Sequence, residues 1–105
     1  LIMATKTLGG KAIEVNEEGY LVTTSDWNRE VAADLAKEED IELTDTHFAV
    51  LEFLRNKADA GDTITIRSVG KSGIIDIKQF YTLFPKGPLK KASKIAGISK
   101  PSSCV

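Results

Sequence analysis

The sequence predicts a mainly α (α+β) domain: a small N-terminal β-hairpin, an orthogonal helical bundle containing a helix-turn-helix, and a flexible C-terminal arm. Three observations predict it. Residues 6–15 alternate loosely around Gly9-Gly10, a dipeptide that admits the positive backbone dihedrals of a tight hairpin turn. From residue 26 onward, apolar residues recur every three or four positions between capping residues, the period of an amphipathic helix. After Gly97 the chain is short, polar and broken by Pro101, with no apolar periodicity to bury.

At 105 residues and 42% hydrophobic, the chain is expected to form one domain with a modest core. Its expected parts are a hairpin region over 3–22, a helical body over 26–96 and a mobile arm over 97–105. Leu1 and Ile2 precede Met3, which is the expected natural start.

In order along the chain, Asn16-Glu17-Glu18-Gly19 reads as a second turn, followed by a short extended stretch at Tyr20-Leu21-Val22. The first helix is expected from Asp26 to Glu38, capped by Ser25 or Asp26, with Trp27, Val31 and Leu35 as one apolar stripe. Trp27 reads as a core anchor, and Glu38-Glu39-Asp40 as a solvated closing loop. The second helix is expected from the cap Thr44 to Ala58, because Phe48, Leu51, Leu54 and Ala58 share a face and Gly61 can end it. His47, in its first turn, reads as a packing or capping residue; a metal site of the usual histidine-cysteine kind has too few ligands with one histidine. His47 could serve Cys104 as a base only if the arm folded back.

A short helix near Thr65 to Val69 and a turn at Gly70-Lys71-Ser72-Gly73 lead into another helix. There Asp76 with Gln79 forms a capping-box pair, Ile75 with Phe80 a hydrophobic staple, and Ile77, Phe80, Tyr81 and Phe84 line one face until Pro85. Two short helices about a glycine turn resemble a helix-turn-helix, which makes DNA binding a rival reading. Base-edge contacts need Arg, Lys, Asn or Gln at the exposed start of the second helix, and only Lys78 and Gln79, with Arg67 and Lys71 nearby, are on offer. Pro88 opens the last helix, Leu89, Ala92, Ile95 and Ala96 form its inner stripe, and Gly97 stops it.

The net charge of −1 hides an asymmetry. Residues 1–60 carry thirteen acids against six bases, residues 61–105 two acids against eight bases. The basic half suits an acidic partner protein or RNA, or is simply a solubilising surface. Lys86, Lys90, Lys91, Lys94 and Lys100 are the candidate partner-docking residues. No apolar run is long enough to span a membrane and no signal-peptide progression is present, so a cytoplasmic protein is expected.

The one cysteine, Cys104, stands second from the end and excludes an intramolecular disulfide. A thiolate is a nucleophile and a sulfur acceptor, so at the tip of a tether it is the candidate catalytic residue.

Here the stretch FPKGPLKKASKIAGISKPSSCV resembles the C-terminal signature of the DsrC/TusE family, the gamma-subunit-like proteins of dissimilatory sulfite reductase and their sulfur-relay relatives. Leu83, Phe84, Pro85, Gly87, Pro88, Lys90, Ala92, Lys94, Ala96, Gly97, Lys100, Pro101, Cys104 and Val105 fall on the family pattern. Weaker matches reach back through Gly19-Tyr20-Leu21, Asp26-Trp27, Leu43-Thr44, His47 and Phe53-Leu54-Arg55. One departure matters: DsrC proper has a second cysteine eleven positions before the penultimate one, and here that position is Ser93. The two-cysteine chemistry of DsrC is therefore closed to this chain.

The resemblance implies a sulfur carrier that holds a persulfide on Cys104, acts as a protein co-substrate and needs no cofactor. It implies sulfur-donor and sulfur-acceptor proteins as partners: a TusBCD-like complex and a tRNA thiouridylase, with tRNA met only indirectly, or else siroheme sulfite reductase. Rival classes are a regulator or DNA-binding member of the same family, and a structural subunit that uses the arm only as an anchor.

Overall fold

In the computed structural model of the chain, which describes residues 3–101, strand β1 (Met3–Leu8) pairs antiparallel with β2 (Lys11–Asn16). Gly9 and Gly10 close this hairpin with φ of 59° and 78°, the two positive dihedrals of a turn whose twist matches its strands. Leu8, Ile13 and Val15 enter the core. The Gly9 N–H donates to the Asp34 carboxylate at 2.7 Å, which ties the turn to the first α-helix. The second turn is built by the Asn16 side chain, which accepts from the N–H groups of Glu18 and Tyr20, after which Leu21 bridges back to Val15.

Five α-helices follow among the described residues: α1 (Arg29–Glu38), α2 (Asp45–Asp59), α3 (Ile66–Gly70), α4 (Ile77–Leu83) and α5 (Pro88–Ile95). Helix α1 starts three residues later than the sequence suggests. Residues Thr24–Asp26 form a separate 3-10 turn, Trp27 is extended, and Asn28 is the true cap, its side chain accepting from the Val31 N–H. Trp27 therefore stands outside the apolar stripe, which is made by Val31, Ala32, Leu35 and Ala36. Asp40, at φ 57°, takes the left-handed position after the helix, where the acidic run was expected to end it.

The caps of α2 and α4 match their sequence signals. Thr44 accepts from the His47 N–H while the His47 ring accepts from the Thr44 N–H, so histidine completes a reciprocal box ordinarily closed by Glu or Gln. Asp76 and Gln79 exchange the corresponding pair on α4, and Thr65 with Ser68 on α3. Phe80 and Phe84 are fully buried and meet edge to face at 5.8 Å. Their expected companions on that face, Ile77 and Tyr81, are instead 44% and 46% exposed. Seven residues of helix offer only a narrow buried stripe, and Phe80 with Phe84, one turn apart, fills it.

Helix α5 lies deepest. Leu89, Ala92, Ser93, Ile95 and Ala96 are all fully buried, packed among α1, α2 and α4. Among the described residues no helix is long and apolar enough to cross a membrane.

The hydroxyl of Ser93 sits in this core without a hydrogen-bond partner. An unpaired buried hydroxyl costs stability, so Ser93→Ala should stabilise the fold by about 1 kcal/mol, a rise in Tm of roughly 4–8 °C for a domain of this size. A calorimetric melt checks this; a lower Tm would show that the hydroxyl is satisfied.

Candidate functional site: the root of the C-terminal arm

A helix leaves its last four carbonyls without partners inside itself. At the end of α5 two of them are taken by side chains from elsewhere in the chain. The Trp27 indole N–H donates to the Ile95 carbonyl at 2.7 Å, and the Arg55 guanidinium donates to the Ala96 carbonyl at 2.8 Å. Arg55 also donates to the Thr24 carbonyl at 3.1 Å, and its guanidinium carbon lies 4.5 Å from the Trp27 ring centroid. One cation thus joins α2, the 3-10 turn and the end of α5. Burial pushes Arg55 below the usual guanidinium value, and Asp59 opposes that shift.

Gly97 completes the arrangement. Its φ is 70°, and a β-carbon there would fall 2.6 Å from the Trp27 ring, so position 97 has room for backbone only. The Gly97 N–H donates to the Lys94 carbonyl and the Ile98 N–H to the Ser93 carbonyl, both at 3.1 Å. This is a Schellman turn, which folds the chain back against its own helix and favours an apolar residue at the position of Ile98.

Ile98 is accordingly only 4% exposed. At the start of the expected arm, Gly97 and Ile98 are packed against the body, while Ser99 and Lys100 are exposed. Ile98, Ser99, Lys100 and Pro101 form one wall of a cleft of about 450 Å³, and Arg55, Asp59, Asp62 and Ile64 contribute to the facing side. Lys100 pairs with Glu18 at 2.9 Å. Cys104 lies outside the described residues. It follows Pro101 by three positions in the sequence.

The candidate docking lysines divide. Lys90, Lys91 and Lys94 share a shallow hollow with Glu18, Tyr20 and Glu39, and the Lys94 chain lies so close over Gly19 that a β-carbon there would fall 2.8 Å from its Cε. Lys86, in the left-handed connection between α4 and α5, lines no part of that hollow. The acidic and basic halves of the sequence therefore meet here. Among the described residues the ion pair found in this region is Lys100 with Glu18.

Ser93, which the family resemblance sets at a second-cysteine position, is buried on the inner face of α5. His47 is buried too, and its ring donates to the Leu83 carbonyl at 3.0 Å while accepting at the α2 cap. Both ring nitrogens are occupied by structure, which removes His47 as a base for Cys104. Sequence reasoning missed Arg55 as a site residue. The available signal was a cation directly after Leu54, at the margin of the α2 apolar stripe, where a solvated lysine or glutamate would be ordinary.

Gly97→Ala should cost about 2–4 kcal/mol from left-handed strain and overpacking, and Trp27→Phe about 1–2 kcal/mol from an orphaned Ile95 carbonyl, by urea denaturation; a Gly97→Ala protein as stable as wild type would show that no such close approach exists. Tyr20, whose hydroxyl donates to the Lys90 carbonyl, has its pKa raised by burial and by the Glu18 carboxylate, with Lys100 opposing and Glu39 adding. The unfolded chain then ionises first, so the stabilisation is complete below the ordinary tyrosine value and is lost as pH rises above about 10. Tyr20→Phe should remove that part of the alkaline decline.

A family model described as "DsrC like protein" matches residues 7–105. "Sulfurtransferase TusE" of Photorhabdus laumondii is 39% identical over 104 residues, covering 91% of this chain and 94% of that protein. The solution structure of DsrC from Allochromatium vinosum superposes with a TM-score of 0.83 at 36% identity, covering 99% of this chain and all of the other. The oxidised gamma-subunit of the dissimilatory sulfite reductase from Archaeoglobus fulgidus superposes with a TM-score of 0.82 at 32% identity, covering 97% and 100%. The fold is thus shared with these proteins along almost the whole chain, and the chain belongs to the DsrC family.

Proposed function

We propose that this protein is a sulfur carrier which accepts a sulfane sulfur on Cys104 and hands it to another protein. The observation that carries the reading is the pairing of family membership with the geometry at Gly97, where Trp27 and Arg55 fix the root of a segment whose sole thiol follows Pro101.

The chemistry needs no oxidant. The Cys104 thiolate attacks the outer sulfur of a persulfide on the donor; a new S–S bond forms at Cys104, the donor S–S bond breaks, and the donor cysteine leaves as a thiolate. The second transfer repeats this at an acceptor thiol. Each step conserves both the sulfane sulfur and the electron count, so one cysteine is enough. The absence of a cysteine at position 93 fits this relay and not a cycle that closes a disulfide within the chain.

The relatives bearing the TusE name favour a tRNA-thiolation route, with a TusBCD-like complex as donor and a tRNA thiouridylase as acceptor. The likeness to a sulfite reductase gamma-subunit favours docking to that enzyme as the second route. The single cysteine weights the first, because relay is the chemistry one thiol can perform.

The test is intact-protein mass spectrometry after incubation with a cysteine desulfurase and free cysteine, with and without the TusBCD-like complex. Wild type should gain the mass of one sulfur, reversible by a reducing thiol, and Cys104→Ser should gain none. Failure to gain sulfur from any of these donors would leave the family's regulatory or structural roles.

A further inference from the structure

Four large apolar side chains are exposed among the described residues, and three of them fall within eight positions: Ile74, 38% exposed, with Ile77 and Tyr81. They form one surface. Ile77 and Tyr81 are a turn apart on α4. Ile77 also reaches the end of α3, where a β-carbon on Gly70 would stand 2.6 Å from its Cγ1. Ile74 lies in the turn between the two helices. Around this apolar centre Arg67, Lys71 and Lys78 are exposed, and none of them has an ion-pair partner among the described residues. The nearby acids are engaged: Asp76 caps α4 and Asp62 pairs with Lys57 at 3.6 Å. The Lys90–Lys94 hollow differs in that two carboxylates, Glu18 and Glu39, line it together with the lysines.

We propose that the α3–α4 surface is a docking site for a protein partner that presents an apolar centre ringed by carboxylates, and that this partner is one of the two with which Cys104 exchanges sulfur. The inference rests on the carrier reading above and adds the surface through which it works. Charge complementarity selects the partner: three unpaired cations around an apolar centre gain most from an acidic rim. A second copy of the chain is disfavoured, because a two-fold contact would set the same cations against themselves. A DNA duplex is disfavoured as well. The Gln79 side chain, which could have read a base edge, is turned back to accept the Asp76 N–H, and Ile77 and Tyr81 hold the face where donors would be needed. Position supports a role in transfer. Asp62, Thr63 and Ile64, which lead into α3, line the same cleft as Ile98 to Pro101, so a partner seated on α3–α4 lies beside the root of the arm.

The experiment compares wild type with two double variants, I77S/Y81S and K71E/K78E, whose folds are checked by thermal melts. Loading of Cys104 is measured with inorganic polysulfide, which needs no docking, and with the persulfide-charged TusBCD-like complex; transfer onward to the thiouridylase is measured separately. Both variants should load from polysulfide like wild type. Each should lose about tenfold in kcat/KM for the same protein step, and wild-type transfer at that step should weaken with added salt. Variants that match wild type at both protein steps would overturn the proposal, as would a wild type that polysulfide loads but that exchanges with neither protein. If polysulfide fails to load wild type, the carrier reading falls and takes the docking surface with it. Binding of a short fluorescent duplex that is lost in K71E/K78E, with protein transfer unchanged, would reassign the surface to DNA.

Discussion

The carbonyls at the end of α5 have to be satisfied, and the way they are satisfied organises the molecule. Water could reach them only if the helix end were exposed, and Ile95, Ala96 and Ile98 are buried there. Trp27 and Arg55 supply the donors instead, from segments 68 and 41 residues away. That requirement explains why the chain before α1 is extended at Trp27 and not helical, since a helical Trp27 would continue the α1 stripe. It explains the glycine at 97, where any side chain would strike the indole ring. It also fixes the direction in which the chain continues past Gly97.

Electrostatics adds a second layer. The sequence separates acids from bases along its length, and the fold lays one against the other where Glu18 and Glu39 meet the lysines of α5 and Lys100. Exposed pairs of this kind contribute little to stability, with a median of about 0–1 kcal/mol. Their effect is on where positive charge remains available. Around Tyr20 the lysines share their hollow with two carboxylates, whereas Arg67, Lys71 and Lys78 on and beside α3 and α4 have no ion-pair partner among the described residues.

Local chemistry was legible and distant chemistry was not. Gly9-Gly10 announced the hairpin, Thr44 the start of α2, and Asp76 with Gln79 the start of α4, because each signal acts on backbone groups within a few residues. The helix count and the inner stripe of α5 were legible for the same reason. The C-terminal motif carried the family. The roles of Trp27, Arg55 and Ile98 were hidden, because each depends on a partner that only tertiary folding brings near. A glycine after a helix says that the helix stops; it does not say whether the next residues leave or fold back. The burial of Ile98 decided that. His47 lay between these cases: its position in the first turn hinted at a cap, but the bond to Leu83 belongs to the fold.

A helix terminus ordinarily frays before anything else, on a free-energy scale far below that of the whole domain. Here the last turn of α5 is fastened to two other segments and to the hydrophobic core, so it has no independent way to open. The amide protons of Gly97 and Ile98 should then exchange with solvent only when the domain unfolds as a unit, like those of core helices.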